Sequence, residues 1–202
     1  MYILSLDTSS AMLSIAVLDE KKVLSYQETL TERGQGEILI PSIMQVLKQA
    51  RLDIADIDAV AVAVGPGSFT GVRVGLSTAR GIGLALNKPV YGVTNFEAEA
   101  YGLLKPITVV LDTKRGDYYT QSFDENGHPI AHPIVQSAEQ LKHHLPFTAV
   151  GDGATKLKEQ IGCDVLEKIS PSAISIGKIA LTRQAHPLPP EPLYLRDADV
   201  TL

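Results

Sequence analysis

The sequence predicts an α/β protein assembled from two related units, the second of them smaller. Three observations carry this. Residues Ala59-Val60-Ala61-Val62-Ala63-Val64 are apolar without polar alternation, the pattern of a strand buried on both faces, and a Gly65-Pro66-Gly67 turn and a long helical stretch follow at once. Leu111-Asp112-Thr113 repeats Leu6-Asp7-Thr8 at an offset of 105, and Asp124-Glu125 repeats Asp19-Glu20 at the same offset. At 202 residues and 45% hydrophobic, the chain has material for one or two small domains with a full core.

The elements follow in order. Tyr2–Leu6 reads as the first strand and Asp7-Thr8-Ser9-Ser10 as a polar turn. Leu13–Leu18 and Val23–Leu30 make a hairpin around Asp19-Glu20-Lys21-Lys22. After a loop at Thr31–Gly36, Glu37–Gln49 is helical. Pro41 inside it kinks the helix or marks where it properly begins, because proline is tolerated only in a first turn. The apolar residues Ile38, Leu39, Ile40, Ile43, Met44, Val46 and Leu47 cover two faces rather than one stripe. The Ala59–Val64 strand comes next. The helix after it starts near Ser68 or Thr70, either of which caps the amides of a first turn.

This second helix is rich in glycine. Gly71, Gly75 and Gly83 recur at four-residue steps with Ala79 in the gap, and Gly81 adds a fourth. Each interior glycine costs about 1 kcal/mol against alanine. The loss is offset by close backbone approach, either of another helix or of the sheet. Apolar residues spread over the rest of its surface. Both helices therefore carry more apolar face than one sheet buries. Replacing Gly75 by leucine is expected to block assembly with a partner and leave the fold intact.

Beyond it, Pro89–Val93 is a strand and Asn95–Leu103 a helix. Lys105-Pro106 reads as the boundary, giving units 1–104 and 105–202. The second unit holds Tyr118–Phe123 where Leu13–Leu18 fell in the first. It continues with helix Ser137–His144, strand Thr148–Val150, a Gly151-Asp152-Gly153 turn, and helices Ala154–Gln160 and Ser172–Ala185. His186–Pro192 is an extended proline-rich tail that Leu193–Arg196 completes.

Composition and motif spacing narrow the function. With 18 Lys and Arg against 23 Asp and Glu, the net charge of −5 makes the chain a poor lone binder of nucleic acid. There is no apolar run long enough to span a bilayer, and Met1–Asp7 lacks the basic segment of a signal peptide. The single Cys163 excludes an internal disulfide, fits a reducing cytoplasm, and reads as a packed thiol. Gly65–Gly71 lacks the Gly-Lys-Ser/Thr of a Walker loop and the spacing of a dinucleotide fingerprint. His128 and His132 are each followed directly by proline, so no His-x-x-x-His pair sits on a helix. Ser9 and Ser10 have no His/Asp arrangement nearby. Arg73 and Arg80 read as ion-pairing residues. Asp7 and Asp112 stand in matching turns. Together they could poise Mg-ATP for a small-molecule kinase, but an aspartate after a strand more commonly holds its own turn.

Four segments occur together and in order: Ser5-Leu6-Asp7-Thr8-Ser9, Gly65-Pro66-Gly67-Ser68-Phe69-Thr70-Gly71-Val72-Arg73-Val74-Gly75, Leu111–Tyr119 and Gly151-Asp152-Gly153. With them the chain resembles the TsaB family of bacterial tRNA threonylcarbamoyladenosine biosynthesis proteins along nearly its whole length. The resemblance implies a duplicated actin/hexokinase-like (ASKHA, RNase H-like) α/β fold with a reduced second lobe. It implies a non-catalytic cytoplasmic subunit without cofactor or metal. That subunit pairs with its paralogue TsaD, the threonylcarbamoyl transferase acting on N6 of the adenosine 3′ of the anticodon. The ATPase TsaE joins the pair, and the chain forms a homodimer when alone. By carry-over, both pairings use the first two helices, with Glu37, Ile40, Pro41, Met44, Leu47, Gly71, Val72, Gly75, Leu76, Ala79 and Gly83 at the interface. Contact with tRNA is at most indirect. Asn95 and Glu99 stand where TsaD has two metal-ligating histidines. The chain departs from the family in carrying Gly34-Gln35-Gly36-Glu37 where a His-Ser-Glu is common.

Overall fold

In the computed structural model, residues 1–31, 34–168, 172–183 and 187–196 are described. The elements in chain order are β1 (Ile3–Asp7), β2 (Met12–Leu18), β3 (Val23–Leu30), α1 (Gln35–Ala50), β4 (Ala59–Ala63), α2 (Phe69–Leu86), β5 (Val90–Val93) and α3 (Asn95–Ala100). Then follow β6 (Ile107–Asp112), β7 (Tyr118–Phe123), β8 (Ile134–Gln136), α4 (Ala138–Lys142), β9 (Thr148–Val150), α5 (Ala154–Ile161), β10 (Asp164–Val165) and α6 (Ser172–Thr182).

Two compact units divide the chain, Met1–Ala98 with Ser170–Pro192, and Glu99–Ile169 with Leu193–Leu202. The division differs from the expected 1–104 and 105–202 in two respects: the chain leaves the first unit at 98/99, and α6 belongs to the first unit, not the second. Its residues from Ser172 to Gly177 are all buried, and it lies on β1, β2, β4 and β5. An apolar helix of this kind needs a large sheet to cover it, and the first unit supplies one. Residues 184–186, which were expected to finish this helix and begin the tail, fall outside the described residues.

The first sheet runs β3-β2-β1-β4-β5, with β1 and β2 antiparallel and β1, β4 and β5 parallel. β4 is fully buried, as its unbroken apolar run required. Its alternation of small and branched residues assigns the two faces. Ser5 pairs with Ala61 on one side and Ala16 on the other, making a flat strip. There α6 comes so close that a Cβ at Gly177 would stand 3.0 Å from Ser5 Oγ. Val62 projects the opposite way, 3.4 Å from where Gly75 of α2 would carry a Cβ. Ser25 Oγ donates to Val46 O at 2.7 Å, holding α1 against β3.

Several helix ends differ from the sequence expectation: α3 stops at Ala100 rather than Leu103, and α4 spans Ala138–Lys142 with Ser137 as its cap rather than Ser137–His144. α2 starts as expected: Ser68 is the N-cap and its Oγ accepts from Gly71 N–H at 3.2 Å. α1 starts earlier, at Gln35, after a Gly34 cap with φ +79°, so Pro41 lies inside it. Glycine supplies that left-handed cap without steric cost.

The second unit repeats the first. Its sheet order β10-β9-β6-β7-β8 is the first order with β6 in place of β1, β7 of β2, β8 of β3, β9 of β4 and β10 of β5. Both hairpin pairings are antiparallel and both crossovers parallel, as in the first sheet. Its helices are shorter, eight residues in α5 and five in α4. Val110, Tyr118, Leu141, Ala149, Leu157 and Cys163 share its core.

Candidate functional site

The Asp7-Thr8-Ser9 turn and the Gly65–Gly75 segment are built for each other. Asp7 Oδ1 accepts from Ser9 N–H at 2.8 Å and from Ser9 Oγ at 2.5 Å, closing a tight turn. Thr8 Oγ1 donates to Gly71 O at 2.6 Å, and Ser9 O accepts from Ser68 N–H at 2.6 Å. The glycines of the run are the room this contact needs. A Cβ at Gly67 or Gly71 would fall on the carbonyl oxygens of Ser9 and Thr8, and one at Gly75 would stand 2.5 Å from Thr8 Oγ1. One at Gly83 would strike the Val90 side chain and lie 3.0 Å from Lys88 O. The four-residue glycine stripe therefore faces β1, β4 and β5.

This settles where the expected interface residues lie. Gly71, Val72, Gly75, Leu76, Ala79 and Gly83 are buried under α2, and Leu47 under α1. Glu37, Ile40, Pro41 and Met44 are exposed, with Ile40 and Met44 half open to solvent. The corresponding outer face of α2 consists of Phe69, Thr70, Arg73, Ser77, Gly81 and Leu84, which the sequence reading did not single out as a face. Leu84 is 85% exposed. A shallow groove of about 460 Å³ runs past Phe69, Thr70, Arg73, Val74, Ser77 and Thr78. Val74 comes within 3.9 Å of the position a Cβ on Gly36 would take, so α1 and α2 present one continuous surface. A signal for this face was present in Gly81. It follows Ala79 by two residues and so lies about 160° around the helix. A Cβ there would meet nothing within 4 Å.

The two arginines of α2 make separate contacts. The Arg73 guanidinium lies 3.7 Å from the Phe69 ring centroid, and Arg80 Nη2 donates to Pro190 O. The proline-rich tail lies along β5, where Gly92 N–H donates to Leu188 O at 2.8 Å.

The remaining candidates for chemistry are engaged in structure. Asp112 Oδ1 accepts from Lys114 N–H at 2.8 Å, the same turn geometry as at Asp7. Its Oδ2 takes Lys156 Nζ at 3.2 Å and Lys114 Nζ at 3.3 Å. Burial raises the Asp112 pKa, but the Lys114 amide and the two ammonium groups outweigh it and hold the carboxyl below its ordinary value. Asn95 Nδ2 donates to Ser9 Oγ at 2.5 Å and to Pro66 O at 3.0 Å, and Glu99 meets Lys168 Nζ at 3.5 Å. Asn95 Oδ1 is buried without a hydrogen-bond partner, but one neutral amide oxygen and one lysine-paired carboxylate make too poor a donor set for a transition metal. Among the described residues no group of three or more His, Cys, Asp or Glu side chains is placed to hold one. Burial pushes the Cys163 thiol up, consistent with a packed residue. Glu97, beside the turn, is bound by Arg183 and by Thr94 N–H at 3.0 Å. Burial raises its pKa, and the Arg183 and Thr94 bonds overcome this and lower it.

A repeated five-stranded mixed sheet, clad in helices, is the duplicated actin/hexokinase-like α/β class. The chain superposes on YeaZ from Pseudomonas aeruginosa with a TM-score of 0.79 at 21% identity, covering 96% of this chain and 99% of that one. The family model TsaD, tRNA N6-adenosine threonylcarbamoyltransferase, matches residues 27–186. The chain is 32% identical over 200 residues to an uncharacterized Mycobacterium tuberculosis protein, covering 98% of this chain and 92% of that protein. It is 33% identical over 126 residues to the Bacillus subtilis tRNA threonylcarbamoyladenosine biosynthesis protein TsaB, covering 59% of this chain and 54% of that protein. The chain belongs to the TsaD family, and within it to the TsaB proteins.

Proposed function

We infer that this chain acts in tRNA threonylcarbamoyladenosine biosynthesis as a non-catalytic subunit, docking on a TsaD transferase through the outer face of α1 and α2. One observation carries the reading: Ile40 and Met44 on α1 and Phe69 and Leu84 on α2 are exposed apolar residues on adjoining helices. Exposed apolar surface of this kind marks a protein contact. Gly81 supports it, because a helix gives up stability for an outward glycine unless another backbone comes close. Of the eleven residues expected at the interface, Glu37, Ile40, Pro41 and Met44 belong to this face. The buried seven act by placing it.

The same face serves a homodimer when the transferase is absent, and the ATPase TsaE joins the mixed pair. No described helix is long and apolar enough to cross a membrane, and the proposed work on tRNA places the chain in the cytoplasm. Contact with tRNA is through the partners, given the net charge of −5. The kinase alternative asks Asp7 and Asp112 to serve Mg-ATP. Asp7 is committed to Ser9 and Asp112 to two lysines, which weighs against it.

The test is co-purification with TsaD and TsaE, followed by modification of tRNA with and without this chain. Modification that depends on the chain, with no tight Mg-ATP binding by the chain alone, is the expected result. Full modification in its absence would overturn the reading.

A further inference from the structure

We propose that Thr8 is the positioning residue for the docking face, fixing the rotation of α2 from the opposite side of the helix. The inference rests on the docking reading above and concerns how that face is held in place. Thr8 is buried, with 1% of its surface exposed. Its hydroxyl donates to Gly71 O at 2.6 Å, while its carbonyl oxygen occupies the place of a Cβ on Gly71. The same hydroxyl stands 2.5 Å from where Gly75 would carry a Cβ. One side chain therefore meets two successive turns of α2 on its inner side.

Two contacts one turn apart resist both rotation and sliding of a helix. Each residue advances about 100° around the axis, so a slip of one position would turn Gly81 and Leu84 out of the outer face. The turn that carries Thr8 is itself braced. Ser9 Oγ donates to Asp7 Oδ1 and accepts from Asn95 Nδ2, and Ser9 O accepts from Ser68 N–H. The clamp thus gives the Asp-Thr-Ser turn and the glycine run a purpose that needs no bound nucleotide.

The experiment compares the full chain with Thr8→Val, which keeps the shape and removes the donor, and Thr8→Ser, which keeps the donor. Ile174→Val is the stability control, since Ile174 packs with Leu18 and Ala173 away from α2. Amide resonances of Ser77–Leu84 are recorded on the free chain, and affinity for the TsaD subunit is measured well below every melting temperature. Thr8→Val is expected to shift those resonances and weaken binding about tenfold, the scale of one buried hydrogen bond. Thr8→Ser restores both, and Ile174→Val leaves both unchanged. Unshifted Ser77–Leu84 resonances in Thr8→Val overturn the clamp whatever the chain binds, as does binding equal to that of Ile174→Val. If the unaltered chain does not bind TsaD, the docking reading falls, and the resonances of the free chain still decide the clamp.

Discussion

Alanine placed at Gly71 and at Gly81 should have opposite effects on the same helix. At Gly81 the new methyl meets nothing within 4 Å, so only the intrinsic preference acts. Alanine in a helix interior is better than glycine by about 1 kcal/mol, which raises a melting temperature by about 2–4 °C for a chain of this size. At Gly71 the same methyl falls on Thr8 O, 3.1 Å from the carbon that carries it. Backbone cannot move aside as a side chain would. The helix must lift off the turn, at a cost of about 3 kcal/mol or more, since overpacking a tight core already costs 1–3. Gly75→Leu belongs with Gly71→Ala, because its Cβ meets Thr8 Oγ1 at 2.5 Å. It disrupts the fold and cannot serve as a probe of docking, contrary to the sequence expectation. Gly81→Leu is the probe: it should leave the free chain folded and weaken TsaD binding by at least about tenfold, or 1.4 kcal/mol. Thermal unfolding of the free variants and calorimetric titration with the transferase measure both. A neutral Gly71→Ala, or a Gly81→Leu that binds as tightly as the parent, would refute the division of α2 into an inner and an outer face.

Other expectations follow from the same geometry. Leu84→Glu, at a position 85% exposed, should leave the stability of the free chain within about 0.5 kcal/mol of the parent and reduce both homodimer and TsaD binding, read by light scattering and pull-down. Asp112→Ala should leave reconstituted tRNA modification at the parental rate, whereas the kinase alternative expects its loss. Hydrogen bonds from Arg183 and Thr94 overcome the effect of burial and hold the folded-state Glu97 carboxyl below its ordinary value. Its stabilising contribution is therefore complete above that value and is lost as the pH falls through the lower folded value. Glu97→Gln should flatten the acid limb of the stability curve, followed by circular dichroism from pH 6 downward.

The strands of the first hairpin, the buried run Ala59–Val64 and the Ser68 cap were legible in the sequence because each depends on local chemistry. A strand buried on both faces has to be apolar throughout, and an N-cap needs a side-chain oxygen at the first turn. The duplication was legible as well. Leu6-Asp7-Thr8 and Leu111-Asp112-Thr113 mark equivalent turns, and both aspartates hold the amide two residues on. The strands β8 and β10 were not: they are three and two residues long, and unlike the equally short β9 neither runs straight into a glycine turn that marks its end.

The docking face divides the same way. The sequence alone determined that α1 and α2 carry more apolar surface than one sheet can cover, since composition along a helix does not depend on where the helix packs. It could not determine which side of α2 meets the sheet, because small residues suit a close sheet and a close partner equally. The tertiary structure decided that by setting Thr8 against Gly71 and Gly75, which leaves Gly81 and Leu84 facing outward. It also decided the place of α6: contact with a sheet formed by distant residues, rather than nearness along the chain, drew a late helix back to the first unit.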